Sequence, residues 1–350
     1  MHYICKKKGE DTKTVNMKEN SGLQLSIIIP VYQVEKYVRP CLESVYKQGL
    51  DDEVFEVIIV NDGTKDRSME VIQDIIDQHK NITVVHQENQ GLSVARNNGM
   101  AIAKGEYLLM PDSDDLLIEN SVEPLLEKAL ETKADMVVAD FVEMNDEEIK
   151  QHYHFQTLQE DDKPVFAAKT GEELLFERVV VWRTLYRKDF ISDNHISFYP
   201  GITFEDNPFT LKCYLKAKLC IRAHWLLNIY RIGNTTISSP STFNKKKNYD
   251  FSIAIREAWK LNYMEGLSPQ IKKKLNDALY KIFKVYLYKI IYITPGYNNK
   301  VTFLNILRNE VPDLRFTNGI KQRTHTLLFK FFPHLYIIVL TIVKKTHWQK

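Results

Sequence analysis

The chain has 350 residues, of which 44% are hydrophobic, so it is long enough for a catalytic domain with a sizeable core and a smaller C-terminal part. Its four cysteines form no CxxC pair, which argues against a disulfide framework and favours reduced thiols in a cytosol. Residues 1–24 are polar and contain no apolar signal sequence. We therefore interpret them as a tail of a cytoplasmic protein.

The charge is distributed unevenly along the chain. Residues 1–265 contain 32 Lys and Arg against 42 Asp and Glu, whereas residues 266–350 contain 15 against 3. A basic C-terminal part that is rich in aromatic residues points to an anionic membrane surface rather than to nucleic acid.

The first 140 residues alternate short β-rich runs with helical patterns, as βαβ units around a mostly parallel sheet do. The predicted strands are 25–31, 55–61, 82–86, 106–110 and 135–141. The predicted helices between them are 40–48, 66–79, 92–103 and 119–131. Ligands of open α/β sheets bind at the carboxyl ends of the strands, so the polar residues after the first, second and fourth strands should meet in one crevice.

The remaining chain divides into a second globular stretch and a helical end. A β-like run at 226–232 belongs to the globular stretch, and the pattern becomes helical over 250–262, 269–291 and 301–309. We predict a catalytic domain over 25–243, with halves 25–141 and 142–243, and a basic helical region over 244–350.

An acidic run follows the fourth predicted strand, at Asp112, Ser113, Asp114 and Asp115. Three carboxylates this close repel one another unless a cation joins them. Hard cations such as Mg²⁺ and Mn²⁺ prefer carboxylate, water and phosphate oxygens, so the run indicates a metal that holds a diphosphate. The alternative is an acidic turn that caps a helix starting near residue 118.

Two further polar clusters lie at predicted strand ends. Asp62 precedes Gly63, which can turn the chain sharply and aim the carboxylate at a base or ribose edge, although an ordinary Asp-Gly turn fits equally well. Arg96 lies one turn inside the helix that follows Gly91. It could reach a nucleotide or a phosphate, or pair with a surface acid.

Together these segments resemble glycosyltransferase family 2, in its bacterial surface-polysaccharide branch, and the resemblance covers roughly residues 25–237. It is carried, in chain order, by Pro30-Val31-Tyr32, Asp62-Gly63, the GLSxARN helix start at 91–97, the DSDD run at 112–115, the WxxLYR segment at 182–187 and Glu205-Asp206. The resemblance implies an α/β fold of the nucleotide-diphospho-sugar transferase (GT-A) type, with a mostly parallel central sheet followed by a helical C-terminal segment.

The resemblance also implies roles for single residues. The donor nucleotide-sugar would contact Pro30, Val31, Tyr32, Asp62, Gly63, Arg96, Asn97, Asp112 and Ser113. A divalent metal, Mn²⁺ or Mg²⁺, would bind mainly to Asp114, with Asp112 and Asp115 as the other candidate ligands. Gln33 and Asn61 stand where the family commonly has Asn and Asp, and both keep hydrogen-bonding capacity.

In the pair Glu205-Asp206, the general base of the family corresponds to Asp206. A single base opposite the leaving diphosphate predicts inversion at the anomeric carbon. Glu205, Trp182 and Arg231 are weaker candidates for acceptor contacts. The alternatives are that Glu205-Asp206 caps the helix 207–217 and that Arg231 forms a structural ion pair.

The predicted function is transfer of a hexose-type sugar from a UDP-sugar to a lipid-linked saccharide in cell-surface polysaccharide biosynthesis. The alternatives are a GDP- or dTDP-sugar donor, or a catalytically silent nucleotide-sugar-binding partner. The apolar stretch within 325–345 is interrupted by Lys330, Pro333 and His334 and is too short to span a membrane. We expect it to be an interfacial anchor on the inner face of the plasma membrane, or else a helix packed on the domain.

Overall fold

The computed structural model describes residues 22–151, 159, 163–233 and 243–342. The described chain forms one nine-stranded sheet flanked by helices, and further helices follow. The predicted α/β class, with a mostly parallel sheet and a helical C-terminal region, is confirmed. Most of the predicted tail, residues 1–21, lies outside the described residues.

The first half of the sheet has the order β3-β2-β1-β4, and all of its strands are parallel. The strands are β1 (Leu25–Val31), β2 (Phe55–Asn61), β3 (Ile82–His86) and β4 (Tyr107–Leu109). The helices are α1 (Val38–Val45), α2 (Gln73–Gln78), α3 (Leu92–Ile102) and α4 (Val122–Thr132). The continuous apolar runs of β1 and β2 are buried because helices cover both faces of a parallel sheet.

The second half of the sheet contains β5 (Leu116–Leu117), β6 (Met136–Met144), β7 (Val165–Lys169), β8 (Thr184–Arg187) and β9 (Cys220–Arg231). Strand β8 is antiparallel to both β4 and β6 and joins the two halves, while β9 pairs in parallel with β6. The helices here are α5 (Asp146–Gln151), α6 (Lys188–Asp193) and α7 (Asp206–Lys216). Strand β6 runs across position 142, where the sequence predicted a boundary between halves.

The C-terminal region consists of α8 (Lys245–Lys260), α9 (Pro269–Tyr288), a π-helical turn (Lys289–Ile293), α10 (Tyr297–Glu310), α11 (Gly319–Phe331) and α12 (Pro333–Ile342). Helix α9 begins with Ser268 as its N-cap and Pro269 in its first turn, where proline needs no hydrogen-bond donor. Helix α8 packs on α7 and α10, so these helices extend the core of the sheet domain. Within the described ranges, no helix combines the length and the apolarity needed to cross a membrane.

The core is divided by the sheet into two main clusters, one on each face. Ile28 of β1 faces the cluster that contains α3 and the C-terminal helices, whereas Ile27 and Ile29 face the other. Gly99 allows α3 to lie close against β1, since a Cβ atom there would be 2.3 Å from Ile28 Cγ2. This close packing fixes the depth at which the α3 side chains enter the crevice.

Candidate active site

The candidate site lies at the carboxyl ends of β1, β2 and β4, as the strand order predicts. Pro30 and Val31 are buried within β1, and Tyr32, directly after them, is half-buried. A ligand at this edge could therefore meet the side chain of Tyr32 but only the backbone of the two preceding residues.

Asp62 fixes the loop between β3 and α3. Its Oδ1 accepts hydrogen bonds from Gln87 Nε2 and Gln90 N, and its Oδ2 accepts one from Gly91 N, each at 2.8 Å. Gly63 has φ +66°, and a Cβ atom there would lie 2.9 Å from Asn89 N. Since a carboxylate has about four acceptor positions, the chain itself occupies three of those on Asp62 and leaves roughly one for a ligand.

Arg96 lies between two acidic segments that are far apart in the sequence. Its side chain is 2% exposed, Nη1 lies 2.6 Å from Glu205 Oε1, and Nη2 lies 2.5 Å from Asp112 Oδ1. Its guanidinium carbon is also 5.3 Å from the centroid of the Phe198 ring. Arg96 therefore does not pair with a surface acid. It links the acidic run after β4 to the start of α7.

Asn97 supports the same arrangement from the next position of α3. Its side-chain amide donates to the Phe198 carbonyl and accepts from the Phe198 N–H, both at 2.9 Å. The segment that carries Phe198 is thereby held against α3, beside Arg96. These bonds use one donor and one acceptor of the amide, which leaves Asn97 limited capacity for the predicted nucleotide contact.

The acidic run brings three carboxylates together. Asp112, Asp114 and Asp115 each place an oxygen within 4.8 Å of the others. Burial, and then the charge of Asp112, raises the pKa of Asp114 to about 6, and burial with the charges of Asp114 and Asp112 raises that of Asp115 well above its usual range. Asp115 Oδ2 is buried without a hydrogen-bond partner among the described residues. This donor set fits a hard divalent cation.

Arg231 holds the acidic run in place. Its N–H donates to Asp115 Oδ1 and its Nε donates to the Asp114 carbonyl, both at 2.8 Å, and its Nη1 pairs with Asp146. This arrangement matches the structural ion pair that the sequence left open for Arg231. Ser113 is buried between the two flanking acids.

The pair Glu205-Asp206 begins α7. Glu205 makes no side-chain capping bond, since its carboxylate pairs with Arg96, so simple capping does not account for it. Asp206 is half-buried, and its Oδ1 accepts a hydrogen bond of 3.0 Å from Asn207 Nδ2. Burial, and then the charge of Glu205, raises the pKa of Asp206 to about 8, which suits a base that works near neutral pH.

Trp182 lies in an aromatic cluster with Phe141 of β6 and Tyr230 of β9. It is 4% exposed, stacks on Tyr230 with ring centroids 5.3 Å apart, and meets the Phe141 ring edge-on at 4.8 Å. Arg178 lies over both Phe141 and Tyr230. With so little of Trp182 exposed, an acceptor would meet this cluster mainly through its other members.

Sequence reasoning found the acids of the site but missed how they are connected. The partners of Arg96 are 16 and 109 residues away, so no local pattern revealed them. The available signal was electrostatic: two acidic segments predicted to share one crevice need a cation between them, and Arg96 is the basic residue of the helix that enters it.

A family model described as "Glycosyl transferase family 2" matches residues 26–194. EpsJ of Bacillus subtilis, an uncharacterised glycosyltransferase, is 33% identical over 213 residues, which are 59% of this chain and 60% of EpsJ. YibD of Escherichia coli, also an uncharacterised glycosyltransferase, is 31% identical over 240 residues, 66% of this chain and 68% of YibD. The chain thus spans less than two thirds of EpsJ.

Among solved structures, residues 1–349 of S. aureus TarS superimpose with a TM-score of 0.68 at 18% identity, over 93% of this chain and 92% of that one. A second TarS structure, in complex with UDP-GlcNAc, gives a TM-score of 0.67. At this identity the likeness shows the fold alone, and it confirms the predicted GT-A fold.

Proposed function

Because the chain belongs to glycosyltransferase family 2, we propose that it is a metal-dependent, inverting glycosyltransferase. It transfers a hexose-type sugar from a UDP-sugar to a lipid-linked saccharide during cell-surface polysaccharide biosynthesis. One observation carries the proposal: Arg96 pairs with both Asp112 and Glu205, so the acidic run lies close to the start of α7, where Asp206 follows Glu205. The UDP-GlcNAc complex of TarS supports a UDP-sugar donor.

In this mechanism each acidic group has a separate task. Asp114 and Asp115, with Asp112, would hold a divalent cation, which when bound neutralises the leaving diphosphate. Asp206 takes the proton from the acceptor hydroxyl as that oxygen attacks the anomeric carbon from the opposite face. Arg96 keeps the carboxylates of Asp112 and Glu205 fixed during this step.

The proposal is tested by measuring the release of the nucleoside diphosphate (UDP, GDP or dTDP) from a panel of UDP-, GDP- and dTDP-sugars, with and without EDTA. Asp206→Asn should lose about 10²-fold or more of the rate while it still binds UDP, because it removes a base and not a binding group. Asp193→Asn, an exposed acid on α6, serves as the matched control and should keep full activity. Undiminished turnover in EDTA or in Asp206→Asn would refute the mechanism.

The same assays separate the alternative functions. Turnover with a GDP- or dTDP-sugar in preference to a UDP-sugar would identify the other donor class. A silent binding partner would bind UDP in calorimetry but release no nucleoside diphosphate from any donor. Both candidate catalytic features are present in this chain, the acidic cluster and Asp206, and they favour the enzyme.

We further propose that the C-terminal helices attach the protein to the inner face of the plasma membrane. Helices α11 and α12 bury Phe329 and Tyr336 against the rest of the chain, and the segment that they form also exposes an apolar set. That exposed set is Leu327, Phe331, Phe332, Leu335, Ile338 and Ile342. With the basic residues of this region beside it, such a surface suits the interface of anionic lipid.

Deleting residues 325–350 would remove buried residues as well, so substitution is the sharper test. Phe331→Ser and Ile338→Ser together should abolish sedimentation with vesicles of phosphatidylglycerol and phosphatidylcholine and leave UDP binding intact. Val285→Ser, at an exposed apolar position on α9, is the control. Equal sedimentation of all three proteins, or no binding of the unmodified protein to vesicles, would refute the attachment.

A further inference from the structure

Two lysines lie next to the segment that carries the proposed base. Lys289 opens the π-helical turn after α9, and its Nζ lies 4.5 Å from the ring centroid of Phe204, which directly precedes Glu205. Lys247 is on α8, and both lysines are half-buried. Burial, and then the charge of Lys247, lowers the pKa of Lys289 to about 8, and burial lowers that of Lys247 as well. Lys289 and Lys247 thus lie, half-buried, on two elements that both contact Phe204.

The elements that carry these lysines are tied together beside them. Asn248, the neighbour of Lys247, donates from Nδ2 to Thr294 Oγ1 at 2.9 Å. The Thr294 N–H in turn donates to the Lys289 carbonyl at 3.1 Å. Phe204 stacks on Phe251 of α8 with ring centroids 4.2 Å apart. The two elements that carry Lys247 and Lys289 are thus held together by buried contacts.

Among the described residues, no carboxylate pairs with either of these two lysines. Of the two acids of α8, Asp250 accepts from Lys246 Nζ at 2.6 Å and from Thr203 N at 3.1 Å, and Glu257 pairs with Arg256 and Lys260. Across the residues that the structure describes, the ammonium groups of Lys247 and Lys289 have no ion-pair partner. Residues 234–242, which join β9 to α8 in the sequence, contain no Asp or Glu.

Partly buried cations without a counter-ion cost free energy, and such groups are concentrated at sites that bind charged ligands. Phe204 adds a second sign of a constrained site. It has φ +68°, a left-handed conformation that a bulky residue rarely adopts and that the surrounding structure must hold in place. A π-helical turn is likewise rare and is found frequently at functional sites.

We propose that Lys247 and Lys289 bind a phosphoryl group of a substrate, at the end of the crevice next to Phe204 and Asp206. Compact ammonium groups suit phosphate as point charges, and two of them match its multiple charge. The phosphoryl group belongs either to the acceptor, as a phosphate or phosphodiester near the attacking hydroxyl, or to the donor diphosphate. The reading of Asp206 as the base rests on the proposed function, whereas the anion site can be tested without it.

The experiment titrates inorganic phosphate and UDP, separately, into protein whose lysines carry ¹³C-methyl groups, and follows the lysine signals by NMR. In the protein without substitutions, phosphate should shift the Lys247 and Lys289 signals and raise the pKa of Lys289. Lys289→Gln and Lys247→Gln should each weaken phosphate binding about tenfold, since each removes a charge-assisted contact. Lys245→Gln, at an exposed position of the same helix, is the matched control and should bind as before.

The UDP titration identifies the source of the phosphoryl group. A parallel loss of UDP affinity in both variants assigns the site to the donor diphosphate, and an unchanged UDP affinity assigns it to the acceptor. If neither phosphate nor UDP moves the two lysine signals, or if both variants bind as the control does, the proposal is overturned. A protein that binds phosphate here but turns over no donor would refute the proposed enzyme and leave the anion site standing.

Discussion

Replacing Arg96 by methionine should destabilise the protein strongly. Arg96 is 2% exposed and pairs with Glu205, whose side chain is 7% exposed, and with Asp112, which is 25% exposed. Removing one member of a buried ion pair costs roughly 3–5 kcal/mol because the other charge is left buried. Water reaches Asp112 and lessens this cost, so we expect about 3 kcal/mol.

The loss should also depend on pH, and its sign follows from Glu205. Burial already raises the pKa of Glu205, and removing the guanidinium raises it further. When the pKa of a carboxyl group is higher in the folded protein than in the unfolded protein, the group contributes most to the stability of the fold at low pH. This contribution is lost as pH rises through the pKa of the folded state. The loss in Arg96→Met should therefore be larger at pH 8 than at pH 5.5.

The assay is urea unfolding followed by circular dichroism at the two pH values. A loss of about 3 kcal/mol would lower the midpoint by roughly 1 M urea at a slope near 3 kcal/mol per M. Arg39→Met is the matched control, because Arg39 also pairs with two carboxylates, those of Glu43 and Asp74, but in an exposed position. Adding Glu205→Gln to Arg96→Met should restore part of the stability.

The reasoning is refuted if Arg96→Met loses no more stability than Arg39→Met. It is equally refuted if the loss in Arg96→Met is the same at pH 5.5 and pH 8. Either result would mean that the buried bridge between the acidic run and α7 does not hold these charges in place.

Two more predictions concern the donor loop and the C-terminal helices. Gly63→Ala should lower the free energy of unfolding by about 1–3 kcal/mol, because φ is +66° and the new Cβ would lie 2.9 Å from Asn89 N. It should also weaken UDP binding in calorimetry. Unchanged stability in urea and unchanged UDP affinity would contradict this prediction. Burial, and then the charges of Lys321 and Lys284, lowers the pKa of His325 to about 4. The neutral His325 side chain therefore contributes its full stability above pH 6.5, and the protein loses this contribution as pH falls toward 4. His325→Gln should flatten this fall in the thermal midpoint between pH 7 and 4, and an unaltered pH profile would contradict it.

The sequence predicted the parallel half of the fold better than the mixed half. Strands β1 and β2 end where their apolar runs end, because a strand buried on both faces is marked by local composition. Strand β3, at the edge of the sheet, is half-buried or exposed along its length and also has its predicted bounds. The two-residue strand β5 and the antiparallel β8 were not predicted, since both depend on pairing with residues distant in the sequence.

The candidate site shows the same contrast between features that local sequence marks and features that depend on contacts between distant segments. The acids at 112–115 could be found because strand ends and carboxylate spacing are local features. The bridge through Arg96, the loop held by Asp62 and the contact of Lys289 with Phe204 could not, because each joins segments whose approach is decided by packing. Asp62 and Arg96 remain predicted donor contacts, and the structure adds that both also hold parts of the site together.

The course of β6 limits how this protein can be recombined with its relatives. A chimera joined between residues 141 and 142 would divide β6 between two parents, in the middle of its pairing with β9. A junction after Arg231, where β9 ends, would keep all nine strands of the described sheet from one parent. Exchange of acceptor preference is therefore best sought by substituting side chains along the crevice, or by grafting the region after β9, rather than by swapping half of the sheet.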